Sequence, residues 1–254
     1  MTEARKKEIL PPDLKKEIVS CLKAGANIKV AASSQRFFKE KIYCYGITAR
    51  ELQNLSEKVF DRIRFSWSLK EVINFSELLL VEKELETRRL AILVLSHFKQ
   101  EFYPGLLSRF KGWLRKGYLD NWALVDAFSS EVISRLLIQY PVLTGKLISW
   151  VRDRDPRVKR GALVSMIKFA RRKEYHPFIL GMISTTVEGN SVDDFVAKAM
   201  GWLLREVGKG ESPTLEAFLK KQGHRLPRVA LRYSLERFEL KKRKYFLEIT
   251  KPPK

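Results

Sequence analysis

Histidine, cysteine and clustered glycine are all scarce in this 254-residue chain, and each scarcity closes off a class of chemistry. The two cysteines, Cys21 and Cys44, form no pattern of pairs, so neither a disulfide framework nor a zinc site is expected. His97, His176 and His224 fall in different segments, with no metal-ligand spacing and no nucleophile close in sequence. No metal and no cofactor are therefore expected, and His97, on an apolar helix, reads as an interior or boundary residue. Glycines are scattered singly, so there is no phosphate-cradling loop and nucleotide hydrolysis is not expected. The longest strongly apolar run, 90–95, is far too short to span a bilayer, and no apolar leader opens the chain. The expected setting is reducing and cytoplasmic, with no membrane partner. Acidic residues are also in deficit. The 29 Asp and Glu face 49 Lys and Arg, a formal charge of +20. A balance this basic points to a polyanion, most simply nucleic acid, because neutralised phosphates release counterions; a membrane surface or general solubility charge are the other readings.

What is present is helical. Hydrophobic residues make up 45% of the chain, enough to bury a core, and no stretch alternates with period two for long enough to argue strands. Residues 1–10 carry mixed charges without an apolar period and read as a short arm. Pro11 and Pro12 introduce a helix to about Ala24, with Leu14, Ile18 and Leu22 on one stripe. A second segment, 31–41, holds Phe37 and Phe38 among basic residues, and 43–46 breaks it. Thr48 with Glu51, and Ser68 with Glu71, form capping boxes for the next two helices.

From Glu84 the chain becomes repetitive. Helical segments open near Glu84, Asn121, Asp155 and Val192, about 36 residues apart, the period of helix-pair solenoids. Second helices follow, as at 104–115 and 141–151, and a turn is expected at 208–211. Arg88-Arg89-Leu90-Ala91 echoes Lys159-Arg160-Gly161-Ala162, and the stretch from Asp155 to Arg160 looks like the opening of a HEAT repeat. The expected fold is all-α: one α-solenoid of HEAT-like antiparallel helix pairs over 1–254, with a basic concave face. The last helix, 227–238, would cap it, and 1–10 and 248–254 would fray.

The candidate chemistry lies on the first helices of these pairs. Trp122 and Asp126, four residues apart, share one helix face; Arg160 falls on the next first helix and Trp202 on the one after. Neighbouring helices of a solenoid could bring them together. Each also has a plainer reading: Trp122 and Trp202 as core, Asp126 as a solvated neighbour, Arg160 as an arginine tying adjacent repeats. Tyr175, Phe178, Trp113 and Trp150 read as core.

Taken in order, Asn121-Trp122-Ala123-Leu124-Val125-Asp126, then Val158-Lys159-Arg160-Gly161, then Lys198-Ala199-Met200-Gly201-Trp202 and Pro227-Arg228-Val229-Ala230-Leu231-Arg232 resemble the AlkD-type DNA alkylation-repair glycosylases over about 37–246. The resemblance implies hydrolysis of the N-glycosidic bond of cationic N3- or N7-alkylated purines in double-stranded DNA, without a cofactor. It places the catalytic carboxylate on Asp126, the pocket tryptophans on Trp122 and Trp202, and the DNA-gripping arginine on Arg160. Further phosphate contacts would fall on Lys168, Arg205 and Lys209. A monomer is expected. The rival readings are a non-catalytic nucleic-acid-binding relative and a protein-binding scaffold.

Overall fold

The computed structural model describes residues 9–188 and 192–251. Residues 1–8 of the expected arm at 1–10, and 252–254 of the tail, lie outside the described residues. The chain is all-α and solenoid-like. The extended backbone contact among the described residues is one isolated bridge, Tyr43 to Glu84. Two compact units divide it, Met1–Tyr103 and Pro104–Lys254.

In the first unit the helices are α1 (Pro11–Ala24), α2 (Ile28–Gln35), α3 (Ala49–Ile63), α4 (Leu69–Leu80) and α5 (Leu85–His97). Both capping boxes form: Thr48 and Ser68 each accept from the backbone N–H three residues on, while Glu51 and Glu71 reach back to the cap. Leu52, Val59 and Ile63 of α3, with Leu14, Ile18 and Leu22 of α1, bury one stripe each. Helix α5 is buried almost all round, from Glu86 to Leu95, because α3, α4 and α1 all pack on it. His97 is half-buried at its end, bonded to Ser56 Oγ at 3.2 Å and stacked on Phe60. Helix α2 starts earlier than 31 because Asn27 caps it, and it buries no residue.

The second unit holds α6 (Leu106–Arg115), α7 (Trp122–Phe128), α8 (Ser134–Gln139), α9 (Leu147–Val151), α10 (Pro156–Ser165), α11 (His176–Glu188), α12 (Asp194–Gly210), α13 (Ser212–Gln222), α14 (Arg228–Ser234) and α15 (Leu240–Ile249). These form two rows. Helices α7, α10, α12 and α14 pack side by side in one; α9, α11, α13 and α15 do so in the other. Helices α7 and α8 are one rod interrupted by a π turn, Ser129–Ile133. Ser134 Oγ pins that turn, donating to Ser129 O at 3.0 Å and across to Ser165 O of α10 at 2.8 Å. Helices α12 and α14 approach so closely at Gly201 that a Cβ there would sit 2.5 Å from Ala230 O.

Several boundaries differ from the sequence expectation. The segment 141–151 is mostly 3-10 helix before α9 begins at Leu147. The expected turn at 208–211 is absent as such: α12 runs on to Gly210, with Leu215 of α13 packed on Gly208. Helix α14 is not the last. Phe238 meets Phe246 at 5.7 Å, folding α15 back, and Arg228 caps its end through Leu247 O at 3.1 Å. Helix α15 thus continues into the segment expected to fray, as far as Ile249.

Candidate functional site

Three helices of the first row each begin at a side-chain cap; Trp122, Asp126, Arg160 and Phe195 stand in their first two turns, and Trp202 lies further along α12. Asn121 Oδ1 accepts from Leu124 N at 3.1 Å and starts α7, which puts Trp122 at its first position and Asp126 one turn on. Asp155 Oδ1 accepts from Arg157 N at 2.8 Å and starts α10, carrying Arg160. Asp193 accepts from Val196 N at 2.8 Å and starts α12, carrying Phe195 and Trp202. Caps of this kind fix where each helix begins and so where its first side chains point.

Asp126 and Arg160 meet. The guanidinium grips the carboxylate with both prongs, Nε to Oδ1 at 2.8 Å and Nη2 to Oδ2 at 2.7 Å. Its third nitrogen, Nη1, donates to the Phe195 carbonyl, and its plane lies over the Phe195 ring, 4.6 Å from the centroid. Arg160 is 6% exposed and so is held by two neighbouring helices at once. The Asp126 side chain keeps 16% of its surface open. Burial pushes the Asp126 carboxyl above its ordinary value, and the hydrogen bonds and charge of Arg160 pull it part of the way back. The result is a largely desolvated carboxylate kept in place by a bidentate partner, a pair whose disruption from one side typically costs about 3–5 kcal/mol.

The two tryptophans lie on the two helices that pack against α10, Trp122 on α7 and Trp202 on α12. Trp122 shares the helix face of Asp126 and is 40% exposed, so it is not core. Trp202 is half-buried, two helical turns beyond Phe195. Trp113 and Trp150 are core, at 1% and 3% exposure, whereas Tyr175 and Phe178, expected to be core, are half-exposed. Tyr175 sits at the end of a 3-10 turn, edge-on to Phe169 and beneath Arg172.

Phe195 was not singled out from sequence, yet a signal for it exists. Phe195, Lys198, Trp202, Arg205 and Lys209 recur at helical spacing and are the part-exposed or exposed face of α12, while Val196, Ala197, Ala199, Met200, Leu203 and Leu204 are buried. Aromatic and basic side chains alternate along that stripe, as on surfaces that follow a nucleic-acid backbone.

A family model for DNA alkylation repair enzymes matches residues 18–238. The chain belongs to that family. A solved structure described as a predicted DNA alkylation repair enzyme from Enterococcus faecalis is similar in fold, with a TM-score of 0.73 at 19% identity, over 85% of this chain and 97% of the other. No curated protein matches the sequence. Membership of the DNA alkylation repair enzyme family gives this protein a role in the repair of alkylated DNA, with DNA as its substrate.

The basic residues of this repair protein that were expected to touch phosphates stand as follows. Arg160 has its fork on Asp126, so a phosphate would compete with that carboxylate for it. Arg205 pairs with Glu236, and Lys209 with Glu206 at 2.6 Å. Lys168 is exposed in the 3-10 turn Ile167–Phe169 that follows α10 and packs on α12.

Proposed function

We propose that this protein is a DNA glycosylase that hydrolyses the N-glycosidic bond of cationic N3- or N7-alkylated purines in duplex DNA, with Asp126 as its catalytic carboxylate. The observation that carries the reading is the Asp126–Arg160 pair, buried between helices that also present an exposed and a half-exposed tryptophan. The alkylated purine already bears a positive charge. When the bond from C1′ to the ring nitrogen breaks, its electrons go to the base, which leaves neutral and needs no general acid. That suits a site with one carboxylate and no histidine. Positive charge grows on the deoxyribose, where a desolvated anion stabilises it far more than one in water does. Water then adds to C1′ and gives up a proton to solvent, leaving an abasic site. Trp122 and Trp202 offer π faces to the cationic nucleotide, worth about 0.5–2 kcal/mol each.

Arg160 acts in this reading through Asp126. Its two prongs hold the carboxylate in one orientation, and its charge opposes the protonation that burial favours. The protein works as a monomer, and on its first helix row Arg205 and Lys209 take phosphates in exchange for Glu236 and Glu206, with Lys168 as a further backbone contact. The test is release of free base from methylated duplex DNA, followed by chromatography under single turnover. Free N7-methylguanine or N3-methyladenine, with an abasic site left in the strand, is the expected product. Tight binding of alkylated DNA with no base released would replace this reading with that of a non-catalytic DNA-binding relative.

A further inference from the structure

Helix α2 and the loop after it form the least buried part of the described first unit. The helix buries none of its eight residues. A helix so short has no stability of its own in water, so something other than the core must justify keeping it. The loop 36–42 is nonetheless built. The Gln35 side chain, at the end of α2, holds it from inside: Nε2 donates to Glu40 O at 2.8 Å and to Phe38 O at 3.3 Å, and Oε1 accepts from Ile42 N at 2.9 Å. Beyond it, Tyr43 O accepts from Leu85 N at 2.7 Å, tying the exit of the loop to α5.

This fixed loop presents Phe37, 73% exposed. Neither a ring nor a cation stacks on it among the described residues. That separates it from Phe65, which is 88% exposed but lies under the guanidinium of Arg64 at 4.6 Å. Around Phe37 stand Arg36, Lys39 and Lys41, all exposed and without an ion-pair partner among the described residues; Glu40 is the one carboxylate in the loop. Lys41 alone has a partner of another kind, the Tyr43 ring at 5.6 Å. A bare aromatic face ringed by unpaired cations on a pre-ordered loop is complementary to a base or sugar face set among phosphates. It is costly to display to water with no partner.

We propose that the loop 36–41 of the first unit is a further DNA contact, in which Arg36, Lys39 and Lys41 take phosphates of the duplex and Phe37 packs against an exposed base or sugar. The inference rests on DNA being the substrate and not on which bond is cut. Because Gln35 pre-orders the loop, little conformational entropy is lost on contact, and the whole chain gains affinity for undamaged DNA as well as damaged.

The experiment uses the full chain and an undamaged duplex carrying 2-aminopurine, with affinity followed by fluorescence anisotropy from low to high salt. Removing three phosphate contacts, in the triple variant R36A/K39A/K41A, flattens the dependence of log K on log salt by about 2–3, since each contact contributes about 0.9. Phe37→Ala weakens binding about ten-fold with the slope unchanged and lowers the 2-aminopurine response, while Phe37→Trp restores both. An unchanged slope in the triple variant, or wild-type affinity in Phe37→Ala, overturns the proposal, as does a loop that binds a protein and leaves DNA affinity untouched. All four side chains are exposed, so thermal midpoints should match wild type and separate lost contact from lost folding. Base release at saturating protein keeps the two readings apart. An inert wild type with a loop-dependent slope sinks the glycosylase alone, and full activity with a loop-independent slope sinks the loop alone.

Discussion

Two carboxylates, one in each unit, make an instructive pair. Glu86 stands in the first turn of α5 and Asp126 in the second of α7. Glu86 is 6% exposed, and its two oxygens accept three backbone N–H groups: Tyr45 at 3.0 Å, Gly46 at 2.8 Å and Ile47 at 3.2 Å. The turn it clamps is one only glycine fits, with Gly46 at φ 83° and Asn27 O 2.1 Å from where a Cβ would be. Asp126 instead bonds one side chain, Arg160, which is itself anchored to a neighbouring helix, and it keeps an open side. Burial of a carboxylate is therefore no mark of chemistry. The kind of partner is: backbone donors lock a loop, whereas a single cation with an open flank leaves lone pairs and negative charge to face a ligand.

The largest effect expected from breaking this contrast is on the structural side. Glu86→Ala strands one buried and two part-buried N–H donors, at up to about 1–3 kcal/mol each with the part-buried ones at the low end, so stability falls by about 3–5 kcal/mol in urea denaturation. Base release per folded molecule should stay at the wild-type level; a variant that loses activity but not stability would move Glu86 into the site. Next comes Asp126→Asn, which keeps the shape and removes the charge. Single-turnover release of alkylated purine should slow about a hundred- to thousand-fold, or about 3–4 kcal/mol, while undamaged DNA binds as well or better. Rates near wild type would take Asp126 out of the mechanism.

A smaller effect tests the pairing itself. Because burial sets the Asp126 carboxyl above its ordinary value, base release should decline as pH falls through that raised value, before exposed carboxylates titrate. The sign for folding is opposite. A group whose pKa is higher in the folded protein favours the fold when protonated, so this loss of rate precedes acid unfolding. Arg160→Gln removes both the charge and the fork that oppose protonation, so the acid limb of the pH–rate profile should move upward, with a rate loss of about ten-fold at neutral pH. A limb that stays in place would mean Arg160 does not act through Asp126. The smallest effects belong to the tryptophans. Trp122→Leu and Trp202→Leu should each weaken the reaction by about 0.5–2 kcal/mol with little change in thermal midpoint. Trp113→Leu, in the core, should show the reverse, read from the same two assays.

The local frame of this protein was legible in its sequence. The caps at Asn121, Asp155, Thr48 and Ser68, and the openings of the first helices, follow from residue chemistry within four positions, and they form as that chemistry dictates. The basic excess, the helical period and the spacing of Trp122, Asp126, Arg160 and Trp202 are likewise properties of the chain alone. Helix ends were less legible: α12 runs through two glycines near its end, Gly208 and Gly210, because Leu215 and the Arg171 backbone pack there, which no local preference reports. The tertiary structure alone decided what Arg160 holds. From sequence it could grip a phosphate, tie repeats together or steady Asp126; only the packing of α10 between α7 and α12 gives it a carboxylate on one side and the Phe195 carbonyl and ring on the other. The π turn after Phe128 belongs to the same class. One extra residue in a turn re-phases a helix by about 100°, so the phase of α8 relative to the face carrying Trp122 and Asp126 depends on this turn, whose far end Ser134 ties to Ser165 of α10, 31 positions away.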